Sequence, residues 1–271
     1  KVGLRLFGNL TYSKNKIVFR DEPAMQYAYQ KSEGTRYGEF YGYIAEGYFQ
    51  SEEEIKKSPR QMRELAPGDI KYKDLNDDGV IDANDQCYLG KSWFPSWSYG
   101  MGFNINYHNF DLALFFQGVS DVSIMANGGS IDTGNGDWGA SGVGIVPFTG
   151  MGLNPSNVIT KALDRWTADN PRADAWYPRM TANATTNDNN YVNSTHWLKD
   201  GSYLRLKQAS LGYTLENKKL MDKGIEYLYF YLSGQNLLTF SKFKLWDPEL
   251  GSNGAKYPLS RMVTLGMRVS F

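Results

Sequence analysis

The 271-residue sequence balances 29 basic against 29 acidic side chains, so it has no net field of the kind that gathers nucleic acid. Aromatic residues make up 15% of it and glycine fills 28 positions, a composition that suits pleated sheet and tight turns. The single cysteine, Cys87, excludes an internal disulfide, and no apolar run approaches the ~18 residues of a membrane-spanning helix. A mean hydropathy of −0.50 leaves a membrane location open, because membrane strands place apolar residues only at every second position and polar loops dilute the average.

The first element follows from period-two alternation. Val2, Leu4, Leu6, Leu10 and Tyr12 alternate with Gly3, Arg5, Asn9, Thr11 and Ser13, which predicts a strand over 2–13. A long connection, 15–95, follows. In it Ser51-Glu52-Glu53-Glu54 has the form of a capping-box start for a short helix through Lys57. Further on, Asp74, Asn76, Asp78, Asp82 and Asp85 fall at positions 1, 3, 5, 9 and 12 of an EF-hand loop. Gly79 takes position 6, where that loop turns sharply, and Val80 offers its carbonyl at position 7. Four carboxylates this close repel one another unless a cation neutralises them, so a structural Ca²⁺ ion is expected there. Asp in place of Glu at position 12 shortens the bidentate reach. The plainer alternative is a polar turn that binds nothing.

Trp97, Tyr99, Met101, Phe103, Ile105 and Tyr107 alternate with Ser98, Gly100, Gly102, Asn104 and Asn106, predicting a strand over 97–107. His108-Asn109 reads as a two-residue hairpin turn into a strand over 110–118, where Phe110, Leu112, Leu114 and Phe116 share a face. The connection 120–201 is rich in Asn, Asp, Gly and Trp, side chains able to stack on sugars or peptides and equally at home in any packed surface loop. Gly134-Asn135-Gly136-Asp137-Trp138-Gly139 spells GxGxxG, but no strand precedes it and no helix follows, as a dinucleotide site requires. Asn157 could cap a helix that puts Val158, Ile159, Ala162, Leu163 and Trp166 on one face.

The segment 202–214 changes phase from Leu204 and Leu206 to Ala209, Leu211 and Tyr213, which predicts a strand with a β-bulge near Lys207-Gln208. After a short turn at 215–225 comes a strand over 227–240, then a connection over 241–258. The last strand, 261–271, alternates Val263, Leu265, Met267, Val269 and Phe271 with Thr264, Gly266, Arg268 and Ser270. Neither His108 nor His196 has metal-ligand neighbours in sequence, and there is no GxSxG elbow. Nothing in the chain points to an enzyme.

Alternation alone would fit a soluble β-sandwich. The polar faces here, however, are rich in Gly, Ser and Asn, as suits a wet lumen, and short turns at 108–109 and 215–225 contrast with the long connections 15–95, 120–201 and 241–258. That asymmetry is expected of an outer-membrane barrel: all-β, antiparallel and transmembrane, with extracellular loops. Six strands cannot close such a barrel, which starts at about eight. An open edge in lipid would leave unpaired N–H and C=O groups, so further strands are expected upstream and residues 1–271 read as the C-terminal part of one barrel domain.

Several stretches resemble the SusC/RagA-like TonB-dependent transporters of Bacteroidota. They are Gly68-Asp69-Ile70-Lys71-Tyr72 with the acidic loop after it, Arg165-Trp166-Thr167 with Asn170-Pro171, Trp197 through Lys207, Ser233-Gly234-Gln235-Asn236-Leu237 and the final Phe271. The resemblance implies a barrel of about 22 strands, a plug and a TonB box (neither is found in this sequence), and a SusD-type surface lipoprotein that closes over the barrel as a lid. It also implies that Phe271 serves as a barrel-assembly signal, against the simpler role of anchoring its strand at the lipid interface. The expected function is TonB-dependent import of an oligosaccharide or peptide across the outer membrane. The alternatives are a structural or adhesive barrel without TonB coupling, and a soluble calcium-dependent carbohydrate-binding module. In the barrel reading His108-Asn109 and Phe271 lie on the periplasmic side, with Asp78 and Trp138 outside the cell.

Overall fold

The computed structural model describes residues 2–127, 158–181, 188–254 and 256–271. In chain order the elements are β1 (Val2–Tyr12), β2 (Glu39–Gly42), β3 (Ala45–Tyr48), α1 (Glu52–Lys57), β4 (Ile70–Tyr72), β5 (Cys87–Ser92), β6 (Trp97–Tyr107) and β7 (Phe110–Ser120). They continue with β8 (Ser123–Met125), β9 (Leu198–Asp200), β10 (Tyr203–Leu215), α2 (Lys218–Met221), β11 (Tyr227–Ser241) and β12 (Met262–Ser270). Six strands form one antiparallel sheet in the order β1-β6-β7-β10-β11-β12, open at both edges. These are the six that alternation predicts, with ends displaced by no more than two residues. Their lengths run from 9 to 15 residues, enough to cross a bilayer at a tilt, which takes about 9–11.

Register turns the alternation into two chemically distinct faces. Leu4 lies opposite Ile105, which is followed across the sheet by Leu112, Leu211, Leu232 and Leu265, an unbroken branched-aliphatic row on all six strands. Towards the short-turn end the parallel row is Val2, Tyr107, Phe110, Tyr213, Phe230 and Met267. A band of aliphatic side chains bordered by aromatic rings is the outer surface of a membrane barrel. None of the described loop residues covers it, and Leu6 and Leu265 stand 71% and 79% exposed. A face so apolar and so continuous needs hydrocarbon against it.

The opposite face carries Arg5, Asn104, Ala113, Ser210, Ser233 and Thr264 in one row. Gly102 lets the Phe7 ring lie flat across it, since a Cβ at that position would strike the ring, and Phe7 then stacks on Phe115 at 6.2 Å. Nearby the Tyr229 hydroxyl donates to Asp111 Oδ2 at 3.0 Å.

The predicted bulge is present. Leu206 pairs with Phe116 and Gln208 with Phe115, so β10 carries one extra residue against β7, and the phase of its apolar side chains flips there. The mismatch passes on to β11, where Gln235 and Leu238 face Gln208 and Leu206, and Asn236 takes up the surplus at φ 53°. Leu204, Leu206, Ala209, Leu211 and Tyr213 thereby all keep to the apolar face.

The connections divide cleanly between the two ends of the sheet. At one end Tyr107 pairs with Phe110 around the His108-Asn109 turn, His108 adopting φ 53°, and α2 occupies the connection after β10. At the other end the three long connections build a separate layer. They are more ordered than the sequence suggests: β2 pairs with β5, β3 with β4 and β8 with β9. Helix α1 starts as expected, with Ser51 Oγ accepting from Glu54 N at 3.2 Å, while Glu54 itself caps back onto Gln50 N rather than Ser51.

The helix expected after Asn157 does not form. Asn157 lies outside the described residues, as do the GxGxxG stretch and Trp138, and only a single 3-10 turn, Thr160–Leu163, follows. The apolar spacing there serves an extended segment instead, held by Trp166 N donating to Tyr177 O at 2.9 Å; Trp166 is buried and Leu163 projects outward. Among the described residues no helix is long and apolar enough to cross a membrane, which has no bearing on strands.

Candidate functional site

Three of the stretches that carry the family resemblance, around Gly68–Tyr72, Arg165–Thr167 and Trp197, converge on the core of the loop layer, while Ser233–Leu237 lies in β11 and Phe271 follows β12. Ile70, Tyr72, Trp166 and Trp197 are all buried in one cluster with Phe40, Tyr43, Tyr48 and Tyr177. Gly68 sits at φ 92° and presses its α-carbon against the Trp166 indole, where any Cβ would overlap the ring. Next to it Asp69, 1% exposed, accepts from Arg179 Nε and Nη2 at 3.0 and 2.9 Å, from Asn190 Nδ2 at 2.8 Å and from Ala66 N at 2.8 Å. Asn190 Oδ1 accepts from Ile70 N, and Gln61 joins Ile70 O and Tyr72 N, so the strand β4 is fastened by one side chain 120 positions away and by another close in sequence. These motif residues shape the layer from inside and do not line its surface.

The acidic loop hangs from this core at Tyr72. Gly79 makes the turn at φ 81°, and its amide donates to Asp74 Oδ2 at 2.8 Å. Asn76 Oδ1 accepts from Asp78 N, Asp78 Oδ1 from Val80 N, and Asp82 Oδ1 from Asn84 N. Asp85 is fully buried and turned inward, accepting from Leu75 N at 2.7 Å and Asp82 N at 2.9 Å. The loop therefore turns at Gly79 with its carboxylates spread onto backbone amides. Among the described residues no three His, Cys, Asp or Glu side chains converge as metal ligands. One oxygen of the set, Asp74 Oδ1, is buried without a hydrogen-bond partner.

A cavity of about 940 Å³ opens in the same layer beside the ends of β10 and β11. Its walls come from 159–161, Trp176, Lys199 and Asp200 at the end of β9, 242–246 just after β11, and Gly254. Lys161, Lys199, Lys242 and Lys244 line it together with Trp176, Phe243 and Trp246. The Lys199 ammonium stands 5.3 Å from the Trp176 ring centroid and donates to His196 O at 2.7 Å. Burial, with Lys161 nearby, lowers the Lys199 pKa. Beside it burial pushes His196 down to about 4, so its ring is neutral at pH 7, packed on Trp197 at 4.8 Å as a core side chain. None of these lysines stands out in the sequence, because the four are separated by up to 83 positions and only Lys242 and Lys244 are near neighbours.

Phe271 follows β12 on the apolar face, two residues beyond Val269, which is paired with Leu228, and is 86% exposed.

No family model matches the chain. It is 27% identical over 291 aligned residues, 97% of its length, to TonB-dependent receptor P3 of Formosa agariphila, and 30% identical over 241 residues, 83% of its length, to TonB-dependent receptor P26 of the same organism. Those alignments span 26% and 22% of the two receptors, so the chain corresponds to about a quarter of such a protein. Among solved structures it superposes along its full length on the RagAB peptide transporter, with a TM-score of 0.68, 21% identity and 27% of that chain covered. The RagAB peptide importer in its closed-closed state gives the same TM-score at 22% identity. With the apolar outer face and the single-ended loop layer, these likenesses show a chain similar to about a quarter of the TonB-dependent receptors it matches, with the fold of the corresponding barrel segment of the RagAB transporter.

Proposed function

We propose that the chain forms part of the wall and the extracellular loop layer of an outer-membrane, TonB-dependent importer whose cargo is peptide. The observation that carries this reading is the sheet itself, apolar and aromatic on one face and polar on the other, with all three long connections at one end. The likeness to peptide transporters supports peptide over oligosaccharide as cargo. In this reading the loop layer faces the cell exterior beneath a SusD-type lipoprotein lid, and TonB acts through a plug. In cells carrying the full-length receptor, uptake of labelled oligopeptides should depend on both the receptor gene and TonB. Uptake that persists without either one contradicts the proposal; dependence for labelled oligosaccharides alone would move the cargo to glycans.

The acidic loop is proposed as a structural Ca²⁺ site held by Asp74, Asn76, Asp78, Asp82 and Asp85 with the Val80 carbonyl. Support comes from the loop winding and from the buried, unpartnered Asp74 Oδ1, an oxygen whose desolvation an ion would offset. Asp85 must turn outward, or ligate through one oxygen, for all six groups to serve. Metal analysis of the full-length receptor should find one Ca²⁺ fewer in the Asp74→Ala, Asp78→Ala double variant. Equal calcium content in both proteins would make the loop an acidic turn only.

A further inference from the structure

We infer that the lysine-lined cavity beside the ends of β10 and β11 binds acidic peptides, its amines pairing with side-chain carboxylates while its aromatic floor takes the intervening apolar residues. The inference rests on the peptide-import reading for its class of cargo, and on the cavity for its charge preference.

Charge balance is the first argument. Lys161 is already paired with Asp164 at 2.8 Å, but among the described residues no carboxylate lies within ion-pair distance of Lys199, Lys242 or Lys244. Asp200 is the one acidic side chain on the lining, exposed and turned to accept from Ser202 N. Three lysines without an ion pair among the described residues thus line the cavity against one carboxylate. Like charges gathered without counter-ions repel, and a ligand that brings carboxylates relieves this. Lys199 already engages a carbonyl oxygen and a ring face, so the exposed Lys242 and Lys244 are the lysines that a peptide's carboxylates would meet.

Shape is the second argument. A volume of about 940 Å³ holds several residues of an extended chain, and it opens at the outer end of the sheet. In an extended peptide alternate side chains point to opposite sides. Acidic residues could meet the exposed Lys242 and Lys244, themselves two positions apart, while the residues between them lie against Trp246 and Phe243.

The test uses the full-length receptor in detergent and two end-blocked hexapeptides, one alternating Glu and Leu, the other Gln and Leu. At low salt the Glu peptide should bind at least ~10-fold tighter, because close charge pairs in a partly desolvated site contribute that much, and the preference should shrink as salt screens it. Lys242→Gln with Lys244→Gln should bring the two affinities within ~2-fold, and both positions are exposed, so the barrel should remain heat-modifiable. Equal binding of the two peptides by the parent overturns the inference, as does a preference that survives the double substitution. An oligouronide that binds through these lysines when neither peptide does also overturns it, in favour of an acidic glycan. Uptake of both peptides by cells is measured in parallel. Import of both without preference removes the charge selectivity and leaves the import reading standing; selective binding without import of either does the reverse.

Discussion

Arginine in place of Leu114 should destabilise the folded barrel by ~2–4 kcal/mol, whereas arginine in place of Ala113, one residue earlier, should change it by less than ~1 kcal/mol. Leu114 lies near the middle of β7, opposite Phe103 and Ala209, on the face that meets lipid. A guanidinium there must leave water for hydrocarbon or drag water in with it. Ala113 points the other way, opposite Asn104 and Ser210, into a polar recess that also holds Asp111 and Arg268. The comparison isolates the face, because the two substitutions share strand, depth and chemistry. Loss of heat-modifiable barrel on graded warming of the full-length receptor measures it. Equal tolerance of arginine at both positions would mean that neither face contacts lipid.

Asp69→Ala should cost the loop layer ~3–5 kcal/mol, the usual penalty for removing one partner of a buried ion pair. Asp69 is the common acceptor for Arg179, Asn190 and the Ala66 amide, and its loss removes that acceptor from all three. Arg179 is 28% exposed at its side chain, so water reaches it and the lower end of that range is expected. The sheet does not depend on this pair, so the damage should be local: faster proteolysis and amide exchange around 60–80 and 188–200, with the barrel strands still protected. Asp69→Asn, which keeps an acceptor, should fall between. Unchanged protection in Asp69→Ala would show that the Asn190 and Gln61 contacts suffice to hold β4.

How much of this was legible beforehand depended on the length scale of the signal. The six sheet strands are long and one face of each is apolar, so period two stands clear of noise, and even the bulge at Lys207-Gln208 is visible as a phase change between Leu206 and Ala209. Capping of α1 was legible because Ser51 and Glu54 act across three residues. The loop layer was not. Its strands are three to six residues long, too short to show a period, and β8 pairs with β9 across more than seventy residues. The spacing of Val158, Ile159, Ala162 and Trp166 imitated a helix because buried side chains on an irregular segment can fall at helical intervals by chance, and Tyr177 then supplied a backbone partner that no local pattern reveals. The cavity is the extreme case. Lys161, Lys199 and Lys244 come from three segments that the fold alone brings together, whereas the acidic-loop pattern is contained in twelve consecutive residues.

A membrane barrel with its loop layer outside the cell should show itself in cysteine labelling of intact cells. The work is best done in a Cys87→Ser background, although the native thiol is buried at 7% exposure and should itself react slowly. Asp78→Cys lies in the exposed acidic loop of the layer, and Asn109→Cys in the hairpin turn at the far end of the sheet. A membrane-impermeant maleimide should modify position 78 in intact cells, and position 109 only after the outer membrane is permeabilised. Labelling at 109 with protection at 78 would invert the barrel, and equal labelling at both in intact cells would contradict a membrane-spanning sheet.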